Sequence, residues 1–274
     1  MLSQLVAGFG SSSFGAFKAI NSRLSSLRET YAKQPDVQRD VEYLREKIGE
    51  VESLDELMDD YRLWQTATTA FGLGDNAFAK GMFKKLMSED PTKKESLVNR
   101  LVDTRYKEFV KFFDFSNKGT DNFKDSAWVE KLADKYVTRS FENSAGASSP
   151  AVQSALYFQR KAPEITSFYQ ILGDEKIYEV VRAAAGLPDS FANVGVDRQV
   201  EILESKFSLD DFKSPAKIGR MIERHLAISD ALNIQSGGMN TSASAIALQT
   251  FAQPSGMTGF APILQIDPTL FMKR

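Results

Sequence analysis

Apolar residues along this chain recur at spacings of three and four, the interval that keeps one face of an α-helix apolar. Phe17, Ile20, Leu24, Leu27 and Tyr31 follow one another in this way as a heptad stripe, and Trp128, Val129, Leu132, Ala133, Tyr136, Val137 and Phe141 form a second stripe. Leu97, Val98, Leu101, Val102, Tyr106, Phe109, Val110 and Phe113 predict another buried helix face, as do Ile218, Met221, Ile222 and Leu226. Strict alternation of apolar and polar residues, the mark of a strand, appears at no useful length. The pattern predicts an all-α fold.

The pattern also repeats. Residues 43–73 align without a gap on residues 157–187, at an offset of 114, with eight identical pairs over thirty-one positions. About two identities would be expected from average residue usage. The pairs are Tyr43/Tyr157, Lys47/Lys161, Glu50/Glu164, Ser53/Ser167, Asp60/Asp174, Ala70/Ala184, Gly72/Gly186 and Leu73/Leu187. Several carry the same physical task. Ser53 followed by Glu56, and Ser167 followed by Gln170, read as capping boxes, in which the serine oxygen accepts a first-turn amide and the longer side chain reaches back. Gly72 and Gly186, each followed by leucine, read as left-handed helix stops. Each copy is therefore expected to hold one helix of roughly five turns between its serine and its glycine. With small gaps the repeat extends further, pairing Phe83, Leu86 and Met87 with Gln199, Ile202 and Leu203, and residues 100–102 with 220–222.

The expected architecture is an internally duplicated multi-helix domain with two similar helical units and mobile or partner-binding arms at both termini. Residues 1–35 are the N-terminal arm with its heptad helix, 36–115 the first unit, 116–148 a connecting helix and loop, 149–232 the second unit, and 233–274 a Gly/Pro-rich apolar C-terminal arm. An apolar content of 42% with twenty phenylalanines supplies a real core. Phe17, Ile20, Leu24, Leu27 and Tyr31 in the first arm, with Phe251, Phe260 and Leu270 in the last, are the candidate partner-binding residues. The competing reading packs the N-terminal stripe on the chain's own core.

Composition removes most chemistry. A net charge of −2 offers no basic footprint for nucleic acid. The chain has no cysteine, so disulfides and thiolate metal sites are excluded. No run approaches the roughly twenty apolar residues of a membrane span, and the N-terminus lacks the basic start of a secretory signal. His225 is the only histidine, on an apolar helix, and reads as a core or boundary residue. No GxSxG elbow or P-loop is present. Asp59-Asp60 and Asp210-Asp211 read as helix-start or solvated charges before they read as paired catalytic carboxylates. Neither a cofactor nor a metal is expected, and no enzymatic activity.

The stretches Asp40-Val-Glu-Tyr-Leu-Arg-Glu-Lys-Ile-Gly, Val51-Glu-Ser-Leu-Asp-Glu-Leu and Ala70-Phe-Gly-Leu are followed in order by Asn99-Arg-Leu-Val-Asp-Thr-Arg-Tyr-Lys-Glu-Phe, Asp134-Lys-Tyr-Val, Ala155-Leu-Tyr-Phe-Gln-Arg-Lys-Ala-Pro-Glu-Ile-Thr-Ser, Ala185-Gly-Leu-Pro and Val196-Asp-Arg-Gln. This series, from about residue 36 to about residue 232, resembles an uncharacterised family of alphaproteobacterial proteins encoded among flagellar genes. The resemblance implies a flagellum-associated structural or accessory protein. Its partners would be other flagellar proteins or further copies of itself, and it would be exported without a cleaved signal peptide. A cytosolic assembly factor, either export chaperone or regulator, is the alternative, and a cell-wall hydrolase stands third.

Overall fold

The structure, a computed structural model, describes Gly8 and residues 12–235. These residues fold into α-helices joined by loops and short 3-10 turns, with no strand among them. In chain order the helices are α1 (Ser13–Asn21), α2 (Leu24–Ala32), α3 (Pro35–Lys47), α4 (Leu54–Asp59), α5 (Tyr61–Ala70), α6 (Lys80–Ser88) and α7 (Thr104–Phe113). After them come α8 (Phe115–Lys118), α9 (Ser126–Gly146), α10 (Pro150–Lys161), α11 (Phe168–Leu172), α12 (Glu175–Ala184), α13 (Val196–Lys206) and α14 (Pro215–Gln235).

The expected five-turn helices are each broken in two. Asp60 and Asp174 take extended backbone conformations, and each carboxylate accepts two first-turn amides of the helix that follows: Arg62 and Leu63 in α5, Lys176 and Ile177 in α12. An aspartate that satisfies free amides in this way starts a new helix rather than continuing the old one. Apolar periodicity passes through such a break unchanged, so the stripe alone could not reveal it.

The gapped part of the sequence alignment also needs correction. Residues 100–102 lie in a turn and bend ahead of α7, and Val102 is 61% exposed, whereas residues 220–222 lie inside α14. Helix α14 packs on α12 and α10, and α9 packs on α5 and α3. Each of these long helices follows a 3-10 turn, Asp121–Lys124 or Leu209–Lys213, whose phenylalanine, Phe123 or Phe212, is fully buried. The stretches Asp121-Asn-Phe-Lys and Asp210-Asp-Phe-Lys that contain them stand 89 residues apart.

Burial resolves into two apolar cores. The first draws on residues 37–136, including Trp64, Phe83, Phe109, Phe113 and Trp128. The second draws on residues 141–226 together with Ala16, Phe17 and Ile20 of α1. Helix α9 belongs to both, giving Leu132 and Tyr136 to the first core and Phe141 and Ala145 to the second. It is more than a connection.

The N-terminal stripe is likewise part of the body. Ile20 is fully buried and Phe17 nearly so, while Leu24, Leu27 and Tyr31 are partly buried against the second core. At roughly 1.5–3 kcal/mol for each fully buried large side chain, Phe17 and Ile20 fasten α1 firmly. Asp230 of α14, itself buried, accepts the backbone amides of Ser13 at 2.7 Å and Phe14 at 3.3 Å. A carboxylate at a helix start satisfies free donors and complements the helix dipole. Phe17 and Ile20 are thus spent on the chain's own core, which corrects their assignment to a partner.

Candidate functional site at the tyrosine and aspartate pairs

The same local construction occurs twice in the helical body. Tyr43 of α3 donates its hydroxyl to Asp60 at 2.7 Å, and Tyr157 of α10 donates to Asp174 at 2.6 Å. Below each tyrosine a lysine at the helix end pairs with a glutamate three residues on, Lys47 with Glu50 at 2.8 Å and Lys161 with Glu164 at 2.6 Å. Ser53 accepts from the Glu56 amide and Ser167 from the Gln170 amide, as their cap roles require. The Glu56 and Gln170 side chains do not close the boxes on the serine amides. They accept instead from the residue before, Glu52 and Thr166, at 2.9 and 2.8 Å. Gly72 and Gly186 end the second helices at the same φ of +72°. Leu73 and Leu187 then fold back to donate to the carbonyls of Thr68 and Arg182.

The two faces differ in what lies over them. Tyr157 and Asp174 are 3% and 2% exposed. Over this face lies the stretch 102–108 from the first core: Glu108 pairs with Lys161 at 2.8 Å, and Arg105 places its charge within reach of Asp174 and Tyr157. Gly173 completes the fit, since a Cβ there would meet the Val102 carbonyl oxygen at 2.1 Å. From α9, Arg139 sits 4.2 Å over the Tyr157 ring, and Arg160 flanks the ring at 5.3 Å. Burial, and after it the Asp174 charge, raises the Tyr157 pKa well above its ordinary value.

The first face is open. Tyr43 and Asp60 are only half-buried, and the Lys47 side chain keeps 44% of its surface against 11% for Lys161. Here the tyrosine ring carries Arg62 at 4.8 Å, and Arg62 pairs with Asp40 at 2.8 Å. Tyr61, beside Asp60, is 78% exposed. The hydrogen bond to Asp60, more than burial, raises the Tyr43 pKa. Both members of the Tyr/Asp pair stood among the identical positions, 17 residues apart in each copy. That constant separation was the available sign that they bond to one another.

The other chemistry-bearing residues are engaged structurally. His225 lies against the Ala151 carbonyl at 3.2 Å, and burial lowers its pKa. Asp59 and Asp210 pair with Lys80 and Lys213, while Asp60 and Asp211 hold backbone amides at helix starts. A cleft of about 480 Å³ runs between α2, α3 and α9, floored by Val41 and Ala133. Its arginines are spent on its own acids, Arg45 on Glu130 at 2.7 Å and Arg28 on Asp134. Among the described residues, no group of three or more His, Cys, Asp or Glu side chains is placed to hold a metal ion, and no helix is long and apolar enough to cross a membrane. Phe251, Phe260 and Leu270 lie outside the described residues.

Residues 70–218 match a family model described as a protein of unknown function, DUF1217. A crystal structure of a protein from Agrobacterium tumefaciens is similar over 81% of this chain and 94% of its own, with 34% identity and a TM-score of 0.72. No curated protein matches the chain.

Proposed function

The chain belongs to the DUF1217 family of proteins of unknown function, and from that premise we propose that it is a structural or accessory component of the bacterial flagellum, working by binding other proteins rather than by catalysis. The flagellar assignment is supported by the ordered series of stretches that resembles proteins encoded among flagellar genes. One observation supports the scaffold reading. Four residues of that series, Arg105, Glu108, Tyr157 and Lys161, meet in a packed junction between two cores, while Arg45 and Asp134, which line the cleft, are paired with this chain's own Glu130 and Arg28. We further read the body as an internal duplication, residues 35–88 with 121–146 forming one unit and residues 150–235 the other. The supports are the paired Tyr/Asp bonds, serine caps, left-handed glycines and phenylalanine-bearing 3-10 turns. Duplicated helical units present similar surfaces at two places, a geometry suited to holding partners.

Fractionation of a flagellated cell that expresses the tagged chain tests this placement. Recovery with purified hook–basal bodies or filaments is the expected result. Recovery from the cytosol alone would favour an assembly factor over a built-in component. Loss of a cell-wall cleaving activity on replacing one carboxylate, with the fold intact, would overturn the scaffold reading altogether.

A further inference from the structure

We propose that the cleft between α2, α3 and α9 is a docking site for this chain's own C-terminal segment, with Leu270, Phe271 and Met272 seated on its floor and Lys273 and Arg274 on its acidic rim. The floor is apolar. Val41 and Ala133 are buried in it, and Ala32 and Val137 lie half-buried beside them. Two ion pairs tie the walls together, Arg45 with Glu130 and Arg28 with Asp134, and they use both arginines that line the cleft. Glu29 of α2 and Glu42 of α3 line it as well, exposed and without an ion-pair partner among the described residues. Two arginines against four carboxylates leave the lining two charges negative. A cationic occupant with an apolar stretch is what this surface complements.

The chain carries such a sequence beyond its described residues. Asp267, Lys273 and Arg274 are the only charged residues of the segment 236–274, and the two cations directly follow Leu270-Phe-Met272. Residues 1–11 are a poorer match, because they hold apolar side chains but no charged one. Reach is not limiting. Thirty-five residues separate Leu270 from Gln235 at the end of α14, roughly 115 Å of fully extended chain. Asp230, near that end, holds the start of α1, and α1 leads directly into α2, one wall of the cleft. Two helices of nine residues each span only about 14 Å apiece. Because the segment is joined to the body, it meets the cleft at an effective concentration that a second copy in dilute solution does not match. Leu270, a candidate for partner contact by its sequence, would then be spent within its own chain.

The test places a photoreactive benzophenone amino acid at position 271 of the full chain and maps its crosslinks by mass spectrometry. Crosslinks within single chains to residues 25–45 or 130–137 are expected. Glu29→Lys together with Glu42→Lys should lower their yield by about fivefold or more, since two attractions between exposed charges become two repulsions. Adding Lys273→Glu and Arg274→Glu to that variant should restore the yield. Both glutamates are exposed, so the fold should tolerate their replacement, and circular dichroism of the variant separates a lost contact from a lost fold. The restoring exchange makes the same separation independently. Absence of crosslinks to the cleft, or a yield indifferent to both exchanges, overturns the inference. Crosslinks that join two chains, with a yield that rises with concentration, would give the cleft to a second copy and overturn it equally. These measurements use the purified chain, so the flagellar placement is judged by fractionation and not by them.

Discussion

Tyr157 and Tyr43 make the same hydrogen bond in different surroundings, and the surroundings should decide what each bond contributes. Tyr157→Phe leaves a buried Asp174 oxygen without its hydroxyl donor, at a cost of about 1–3 kcal/mol. Tyr43→Phe leaves Asp60 accessible to water, and denaturant midpoints should scarcely move. The two left-handed glycines should differ in the same sense. Valine at either position is strained at φ +72° by roughly 1–2 kcal/mol. A side chain at Gly72 meets the guanidinium of Arg139, which is almost wholly buried and cannot swing aside, at 2.8 Å, whereas at Gly186 it meets that of Arg224, which is exposed and can, at 2.7 Å. Gly72→Val should therefore be the more damaging of the two in thermal unfolding. His225 provides a pH test. Burial lowers its pKa in the folded chain, while Glu179 and Asp230 pull the other way. Its stabilising effect is thus full above the unfolded value near 6.5 and is lost as pH falls through the lower folded value. Between about pH 7 and about pH 5, His225→Gln should flatten the fall in melting temperature relative to the parent.

Helices were more legible in the sequence than their ends and their partners. The stripe of α9 was readable because Trp128, Leu132 and Tyr136 keep one register over several turns. The break at Asp60 was not, since an aspartate can be a solvated charge or a cap and only the free amides beside it decide which. The N-terminal stripe shows the same limit at the scale of an element. Spacing reports that a face is apolar and is silent about what covers it. Here α1 is covered by α10 and α14 and fixed at its start by Asp230. Ile20→Asp should accordingly lower the unfolding free energy by several kcal/mol, since it buries an unpaired carboxylate. Leu24→Asp, at a partly buried position, should cost less. Asp230→Ala should speed hydrogen exchange at the amides of Ser13 and Phe14 before it affects the rest of the fold. Unchanged exchange at those two amides would mean that the clamp is not what holds α1.

In the whole molecule, the two cores are fastened to one another by α9, which runs through both, and by the stretch 102–108, which reaches from one onto the other. This second fastening depends on Gly173. A methyl group there would stand 2.1 Å from the Val102 carbonyl oxygen, and a backbone atom has no rotamer with which to escape. The strain must then be relieved by moving residues 102–108 off the second face, which would also draw Glu108 from Lys161 and open Tyr157 to water. The chain carries its own reporter for this event. Both tryptophans, Trp64 and Trp128, lie in the first core and none lies in the second, so tryptophan fluorescence follows one core while far-ultraviolet circular dichroism follows both. In the parent the two signals should lose structure together as denaturant rises, as cooperative unfolding requires. In Gly173→Ala they should separate, with the dichroism midpoint moving to lower denaturant while the fluorescence midpoint lags behind. Coincident transitions in the variant, shifted by less than about 1 kcal/mol, would show that α9 alone couples the cores. The cover over Tyr157 would then be a consequence of their packing and not a cause of it.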